Sequence, residues 1–169
     1  MASQGVALRL GYELAGSCGA RYVVTIDADG QDDPASIGDL VAPLVSDEAD
    51  FVIASRRLGT DESTDPLRRA GVVFFAKVIN SLTGQHLTDT SMGLRAMRVE
   101  VLGDVTLEQD QYQTAELVIS AASRGWRIAE RPTVRHPRAS GESKKGHNAL
   151  FALQYARVIV RTWLRERRR

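Results

Sequence analysis

Residues 22–34, YVVTIDADGQDDP, decide the reading of the fold. Tyr22, Val23, Val24, Thr25 and Ile26 are almost all β-branched and read as a short buried strand that ends at Asp27. In an extended chain residues i and i+2 point the same way, so Asp27 and Asp29 can turn both carboxylates toward one cation. Hard oxygen donors suit Mg²⁺ or Mn²⁺, and such sites commonly combine a carboxylate pair with substrate phosphates. Gln31 offers a third oxygen at the same spacing. Most D-x-D pairs are solvated turns; the place of this one after a buried strand singles it out. An EF-hand loop starting at Asp27 is excluded, because its sixth and twelfth positions hold Asp32 and Gly38 rather than Gly and Glu. A phosphatase with an aspartate nucleophile is a poor match, because Gly30 and Gln31 follow the pair where that class carries Thr or Val.

Helix and strand patterns alternate on the C-terminal side of this stretch, and a helix precedes it. Residues 6–15 repeat Val6, Leu10 and Leu14 at helical spacing. Asp33 and Pro34 open a second helix, one as a cap and the other pre-set for the first position, with Ile37, Leu40, Val41 and Leu44 on its apolar face. Residues 51–54 read as a second buried strand and 56–65 as a polar loop. A longer helix starts at Pro66, carries Leu67, Ala70, Phe74, Val78 and Leu82 on one face, and stops at Gly84. Residues 92–97 and 127–134 read as extended, 113–123 as a helix, 135–147 as a charged loop and 148–167 as a last helix. This alternation predicts an α/β fold whose mixed sheet is mainly parallel and flanked by helices. Ligands of such sheets bind beyond the carboxyl ends of the strands.

The 169 residues are 43% hydrophobic and 25% charged, which fits one soluble domain with a real core. A single cysteine, Cys18, excludes a disulfide framework, and His86, His136 and His147 are too scattered for a zinc site. No apolar run reaches the roughly 18 residues of a membrane span, and residues 1–17 do not read as a signal peptide. The expected location is the cytoplasm, peripheral to a membrane. The net charge of +1 hides an asymmetry: residues 1–130 carry 11 basic and 19 acidic side chains, residues 131–169 carry 11 and 2. The basic end either meets an anionic partner or neutralises the acidic body.

Five blocks carry a resemblance: TIDADGQDDP at 25–34, ASRR at 54–57, LTGQHLTDTSMGLRAMR at 82–98, QTAE at 113–116 and RASGESKK at 138–145. In this order they resemble family 2 glycosyltransferases of the GT-A fold, above all the dolichol-phosphate mannosyltransferase branch, which moves a sugar from a nucleotide-sugar to a polyprenyl phosphate. The resemblance implies that Asp27, Asp29 and Gln31 hold the Mg²⁺ or Mn²⁺ that bridges the donor diphosphate. It implies that Asp89 lies beside the reacting sugar, with Ser91 and Arg95 in the same block, that Gln113 and Glu116 stand near the sugar, and that Ser143 and Lys144 belong to a phosphate-binding loop. Asp89, Arg95 and Glu116 are thereby the catalytic candidates, and Gln113 a donor-binding one. The family pattern opens with an "IPAYNE"-like strand segment that binds the nucleotide base. This chain starts at what corresponds to the next helix, so it is expected to be N-terminally truncated relative to the family, with a second copy or a partner chain completing the sheet.

Sugar transfer releases a diphosphate, whose developing charge a divalent cation neutralises. An alcohol acceptor needs a general base, whereas a phosphate acceptor is already ionised and needs positioning and countercharge. Arg135, Arg138, Ser143, Lys144 and Lys145 suit the second case, with Ser91 beside them as an acceptor-side group. Arg56 with Arg68 or Arg69 are candidates for the donor diphosphate. In residues 148–169, Ala149, Ala152, Ala156, Ile159, Val160 and Trp163 form an apolar face opposite Arg157, Arg161, Arg165 and Arg168. Such a helix lies on an anionic membrane surface, or packs on the catalytic portion, residues 1–147, with its arginines solvated. Nucleic acid is not expected, because no aromatic residues interleave the arginines. Two other functions stay open: a non-catalytic fragment acting through a partner chain or membrane, and a transferase to a hydroxyl acceptor with Asp89 as base.

Overall fold

Side-chain capping sets the start of the 3-10 turn and of the long third helix. Asp33 accepts a hydrogen bond from the Ala35 amide at 2.9 Å, and Asp65 one from Arg68 at 3.0 Å, each just ahead of a proline at the first helical position. Gly84 closes the long helix with φ of 71°, the left-handed conformation that glycine adopts without strain. The computed structural model describes residues 4–62, 65–137 and 149–169. Its elements are α1 (Gln4–Ser17), β1 (Tyr22–Thr25), a 3-10 turn (Pro34–Ser36), α2 (Ile37–Val45), β2 (Phe51–Asp61), α3 (Pro66–Thr83), β3 (Arg95–Arg98), α4 (Val99–Asp104), α5 (Gln113–Ser123), β4 (Ile128–Arg135) and α6 (Ala149–Arg167).

The strands form one sheet in the order β1-β3-β2-β4. β3 pairs antiparallel with both β1 and β2, and β2 pairs parallel with β4. The expectation of a mainly parallel sheet is therefore corrected: the sheet is mixed, and two of its three pairings are antiparallel. The cause is one strand. β1, β2 and β4 all point the same way, as the helix–strand alternation implies, but β3 inserts between β1 and β2 and runs against them. Residues 56–61 also differ from the loop expected there. β2 continues to Asp61 by pairing with β4 across a register shift between Ser55 and Thr60. Gly59 permits this, since a Cβ there would collide with the Thr133 backbone.

The core lies between the sheet and α2, α3, α5 and α6, around Leu44, Phe51, Ile53, Ile79, Met97, Ile119 and Ile159. Two helices turn differently from their sequence pattern. The Val6–Leu10–Leu14 stripe of α1 is solvent-exposed, while Gly5 at its start lies flat on the backbone of Asp110. In α6 the buried face is Tyr155, Val158, Ile159 and Thr162; Val160 faces out at 50% exposure. Arg165 turns inward and bonds Glu116 at 2.9 Å and the Thr106 carbonyl at 2.7 Å. Among the described residues, no helix is long and apolar enough to cross a membrane.

A network beneath the sheet joins Asp50, Asp47, Arg127 and Arg98. Arg127 grips the Asp50 carboxylate through Nε at 2.9 Å and Nη2 at 2.8 Å, and this holds Asp50 below the usual carboxylate value of 3.8. A carboxylate whose pKa is lowered on folding contributes stability that is complete above its unfolded value and is lost as pH falls through the folded one. Asp50→Asn is expected to flatten the acid side of the stability–pH curve below pH ~4 and to cost about 1–2 kcal/mol at neutral pH, measured by urea unfolding across pH.

Candidate functional site

Because β3 runs against its neighbours, its amino end reaches the same sheet edge as the carboxyl ends of β1, β2 and β4. Four segments meet there: 26–33 after β1, Ser55 and Arg56 of β2, 88–93 ahead of β3, and Arg135–His136 at the end of β4. An open cleft of about 650 Å³ lies beside them, lined by Ile26, Asp27, Gly30, Asp32, Pro34 and His136 among others.

Asp89 is wholly buried and paired with Arg56, whose Nε donates to Oδ2 at 2.6 Å. Arg56 Nη2 also donates to Ser91 Oγ at 2.6 Å, and the Ser91 amide and hydroxyl both donate to Asp89 Oδ1, at 3.0 and 2.9 Å. Three of the expected site residues are thus one hydrogen-bonded unit. A fourth member, Glu130 of β4, lacks a motif of its own. It accepts the Thr88 and Asp89 amides at 2.7 and 2.8 Å and so fixes the backbone that carries Asp89. Burial raises the Glu130 carboxyl, an effect those amides oppose. Only its position, an acid inside the strand stretch IAERPTVR, could have drawn attention to it.

The acidic loop sits across from this unit. Asp27 lies against Gly93, where a Cβ would fall 2.6 Å from Oδ2. Asp29 Oδ1 accepts the Gln31 amide at 3.2 Å. The Gln31 side chain is engaged at both ends: Nε2 donates to the His136 carbonyl at 3.1 Å, and Oε1 accepts from Arg135 Nη2 at 2.9 Å. Asp32, absent from the expected site, has a fully buried side chain, with Oδ1 3.3 Å from Arg135 Nη1 and Oδ2 without any hydrogen-bond partner. Burial raises its pKa, Arg135 opposes that, and the charges of Asp27 and Asp29 add to the rise. Among the described residues no three His, Cys, Asp or Glu side chains are grouped closely enough to hold a metal as they stand.

Other expected residues separate into those near the edge and those turned elsewhere. Arg68, at the start of α3, lies close enough to Arg56 and Arg135 for their charges to lower its pKa, after the larger effect of burial. Arg69 instead reaches back to the Asp61 carbonyl at 2.6 Å. Arg95 is completely buried and donates to the carbonyls of Met92, Thr114 and Thr90, at 2.5, 3.0 and 3.1 Å, clamping the Asp89 loop to the start of α5. Gln113 shares a small cavity of about 50 Å³ with Asp27 and Arg95. Glu116 points away, accepting the Glu108 and Gln109 amides and the Arg165 guanidinium. Arg138, Ser143, Lys144 and Lys145 lie outside the described residues.

The family whose model matches the chain is described as Glycosyl transferase family 2, over residues 4–106. Among curated proteins, the dolichyl-phosphate hexose transferase of Haloferax volcanii is 37% identical over 126 residues, 75% of this chain and 54% of that protein. The UDP-N-acetylglucosamine–dolichyl-phosphate N-acetylglucosaminyltransferase of Methanococcus voltae is 32% identical over 130 residues, 74% of this chain and 50% of that protein. The chain spans about half the length of the curated relatives it matches. Among solved structures, glucosyl-3-phosphoglycerate synthase of Mycobacterium tuberculosis, bound to Mn²⁺, UDP-glucose and phosphoglyceric acid, superposes with a TM-score of 0.70 at 17% identity, over 96% of this chain and 55% of that one. At that identity the likeness is one of fold.

Removing Arg56 leaves a buried carboxylate without its cation. Arg56→Leu is therefore expected to cost about 3–5 kcal/mol in urea unfolding, and adding Asp89→Asn to it to recover a large part. A cost under about 1 kcal/mol for the single variant contradicts the buried pairing. Gly93→Ala, whose Cβ would sit 2.6 Å from Asp27 Oδ2, is expected to displace the Asp27 carboxylate and to lower the thermal unfolding midpoint while circular dichroism shows the fold retained.

Proposed function

Since the chain belongs to glycosyltransferase family 2, we propose that it serves transfer of a sugar from a nucleotide-sugar donor to a polyprenyl phosphate, with the help of Mg²⁺ or Mn²⁺. The observation that carries this reading is the gathering of opposite charges at one sheet edge. Asp27, Asp29 and Asp32 lie there within reach of Arg56 and Arg135, and Arg68 lies within reach of those two arginines. That arrangement suits a cation-bound diphosphate beside a second phosphate. The named relatives that act on dolichyl phosphate support the acceptor class.

The donor set fits a hard cation: carboxylates at the end of β1, one of them with a buried oxygen that no protein group satisfies. Asp27 and Asp29 would hold the ion, which supplies charge neutralisation for the departing diphosphate. Asp89 orients the sugar from a fixed position, since Arg56, Ser91 and Glu130 leave its loop no slack. Both of its carboxylate oxygens are already engaged, by Arg56 and by Ser91, which favours a phosphate acceptor over a hydroxyl one. Arg68 and Arg135 neutralise the incoming phosphate. Leu150 and Leu153, exposed at 61 and 67%, share the outer side of α6 with Arg157 and Arg161, a face suited to an anionic lipid surface that carries such an acceptor.

Thermal unfolding with UDP- and GDP-sugars tests the donor reading: a rise in midpoint that needs both nucleotide-sugar and Mn²⁺ is expected, and Asp29→Ala should abolish it. Co-sedimentation with anionic vesicles, released by high salt, is expected of the α6 face; no binding at low salt overturns that part. Sugar transfer to a short polyprenyl phosphate, but not to a soluble alcohol, separates the two acceptor classes.

A further inference from the structure

We infer that Tyr155 of α6 is a positioning residue for the loop that carries Asp89, its buried hydroxyl reaching the same two residues, Thr90 and Thr114, whose carbonyls Arg95 grips. The inference rests on the transfer reading above only where turnover is measured.

A phenylalanine would fill this place in the core without the cost of a hydroxyl. Tyr155 is 5% exposed, and its ring packs edge-on against Phe75 of α3 at 4.6 Å and against Tyr112 at 5.5 Å, and stacks on Phe151 at 6.4 Å. Its hydroxyl is buried without a hydrogen-bond partner, and so is the hydroxyl of Thr90. A buried tyrosine hydroxyl normally finds a partner, because one left unmet carries the whole penalty of its lost water. The groups close by are those of the site. Burial raises the Tyr155 hydroxyl above its usual pKa, and Thr114, Arg95 and Thr90 oppose that from near at hand. It is therefore a neutral donor at neutral pH, and a small movement of the Tyr155 and Thr90 hydroxyls toward each other meets both.

The surroundings show what α6 holds in place there. Tyr112, directly ahead of α5, has φ of 62° and ψ of 26°, the left-handed region that a bulky residue enters only under constraint. Three neighbours on α6 supply that constraint. The Tyr112 ring meets Phe151 edge-on at 5.0 Å and Tyr155 at 5.5 Å, and its hydroxyl donates to Gln154 Oε1 at 3.0 Å. Arg95 of β3 reaches the same junction, donating to the Thr114 and Thr90 carbonyls at 3.0 and 3.1 Å. Thr90 follows Asp89 and Thr114 follows Gln113 in the chain. Arg95 thus fixes the main chain of both segments from the sheet, and Tyr155 addresses their side chains from α6.

The competing role for Tyr155 is packing alone, and removal of the hydroxyl separates the two. Hydrogen exchange of the full chain, read by mass spectrometry, is paired with sugar transfer to a short polyprenyl phosphate. Tyr155→Phe is expected to speed exchange across residues 88–93 about fivefold or more, while residues 51–54 of β2 stay within about twofold. It is expected to lower kcat about threefold or more with the donor KM unchanged. Thr90→Val, which removes the other hydroxyl, is expected to give the same pattern, and the double variant no more than either alone. Exchange that is unchanged at residues 88–93, or that rises equally at 51–54, reduces the hydroxyl to a part of the packing and overturns the inference, as does an unchanged kcat. A wild-type chain that transfers no sugar overturns the transfer reading instead, and the exchange comparison then decides what the hydroxyl holds.

Discussion

A carboxylate sealed from water has to be neutralised inside the protein, and around Asp89 that requirement organises everything else. Arg56 must come from β2, the Ser91 hydroxyl from the segment ahead of β3, and the acceptor for the Asp89 amide from Glu130 on β4. Two strands and the segment ahead of β3 are thus tied to one residue. Arg95 adds a clamp to α5 through three carbonyls, without a carboxylate among its direct bonds. A site built this way is stiff before any ligand arrives.

The two sides of the edge differ in how completely their charges are satisfied. The Asp89–Arg56 side is closed, with hydrogen bonds at both carboxylate oxygens. The acidic loop is open in the energetic sense: Asp32 carries an unmet oxygen, and its neighbours Asp27 and Asp29 raise the cost of its charge. Unmet electrostatic demand in a folded protein is where a charged ligand gains the most, because binding removes a penalty already present in the free state.

Much of this was legible in the sequence, and for local reasons. Pro34 with its capping Asp33, and Pro66, marked two helix starts, Gly84 marked an end, and the strand before Asp27 and Asp29 put both acids at a sheet edge. Asp89, Arg56 and Ser91 were legible through motif resemblance, and the structure joins them in one unit. What local pattern does not carry is strand order. Residues 95–98 look like any short strand, and nothing in RAMR announces that it will part β1 from β2. Glu130 and Asp32 were missed for a related reason, since their importance lies in which amide or oxygen faces them across the sheet. The stripe Val6–Leu10–Leu14 shows the converse: its spacing correctly gives a helix, yet spacing alone does not say what the apolar face will meet.

The central place of β3 also shapes the order of assembly. During synthesis β1 and β2 emerge well before the strand that must separate them, and they point the same way. Until residues 95–98 are available, each presents a free edge to the other, and direct parallel pairing between them is a competing arrangement that has to be avoided or undone. Thr25 finds its partner only at Arg95, so closing the sheet means closing a long loop. Folding of this chain is accordingly governed by a late, non-local event, and its slow step should be the arrival of a four-residue strand.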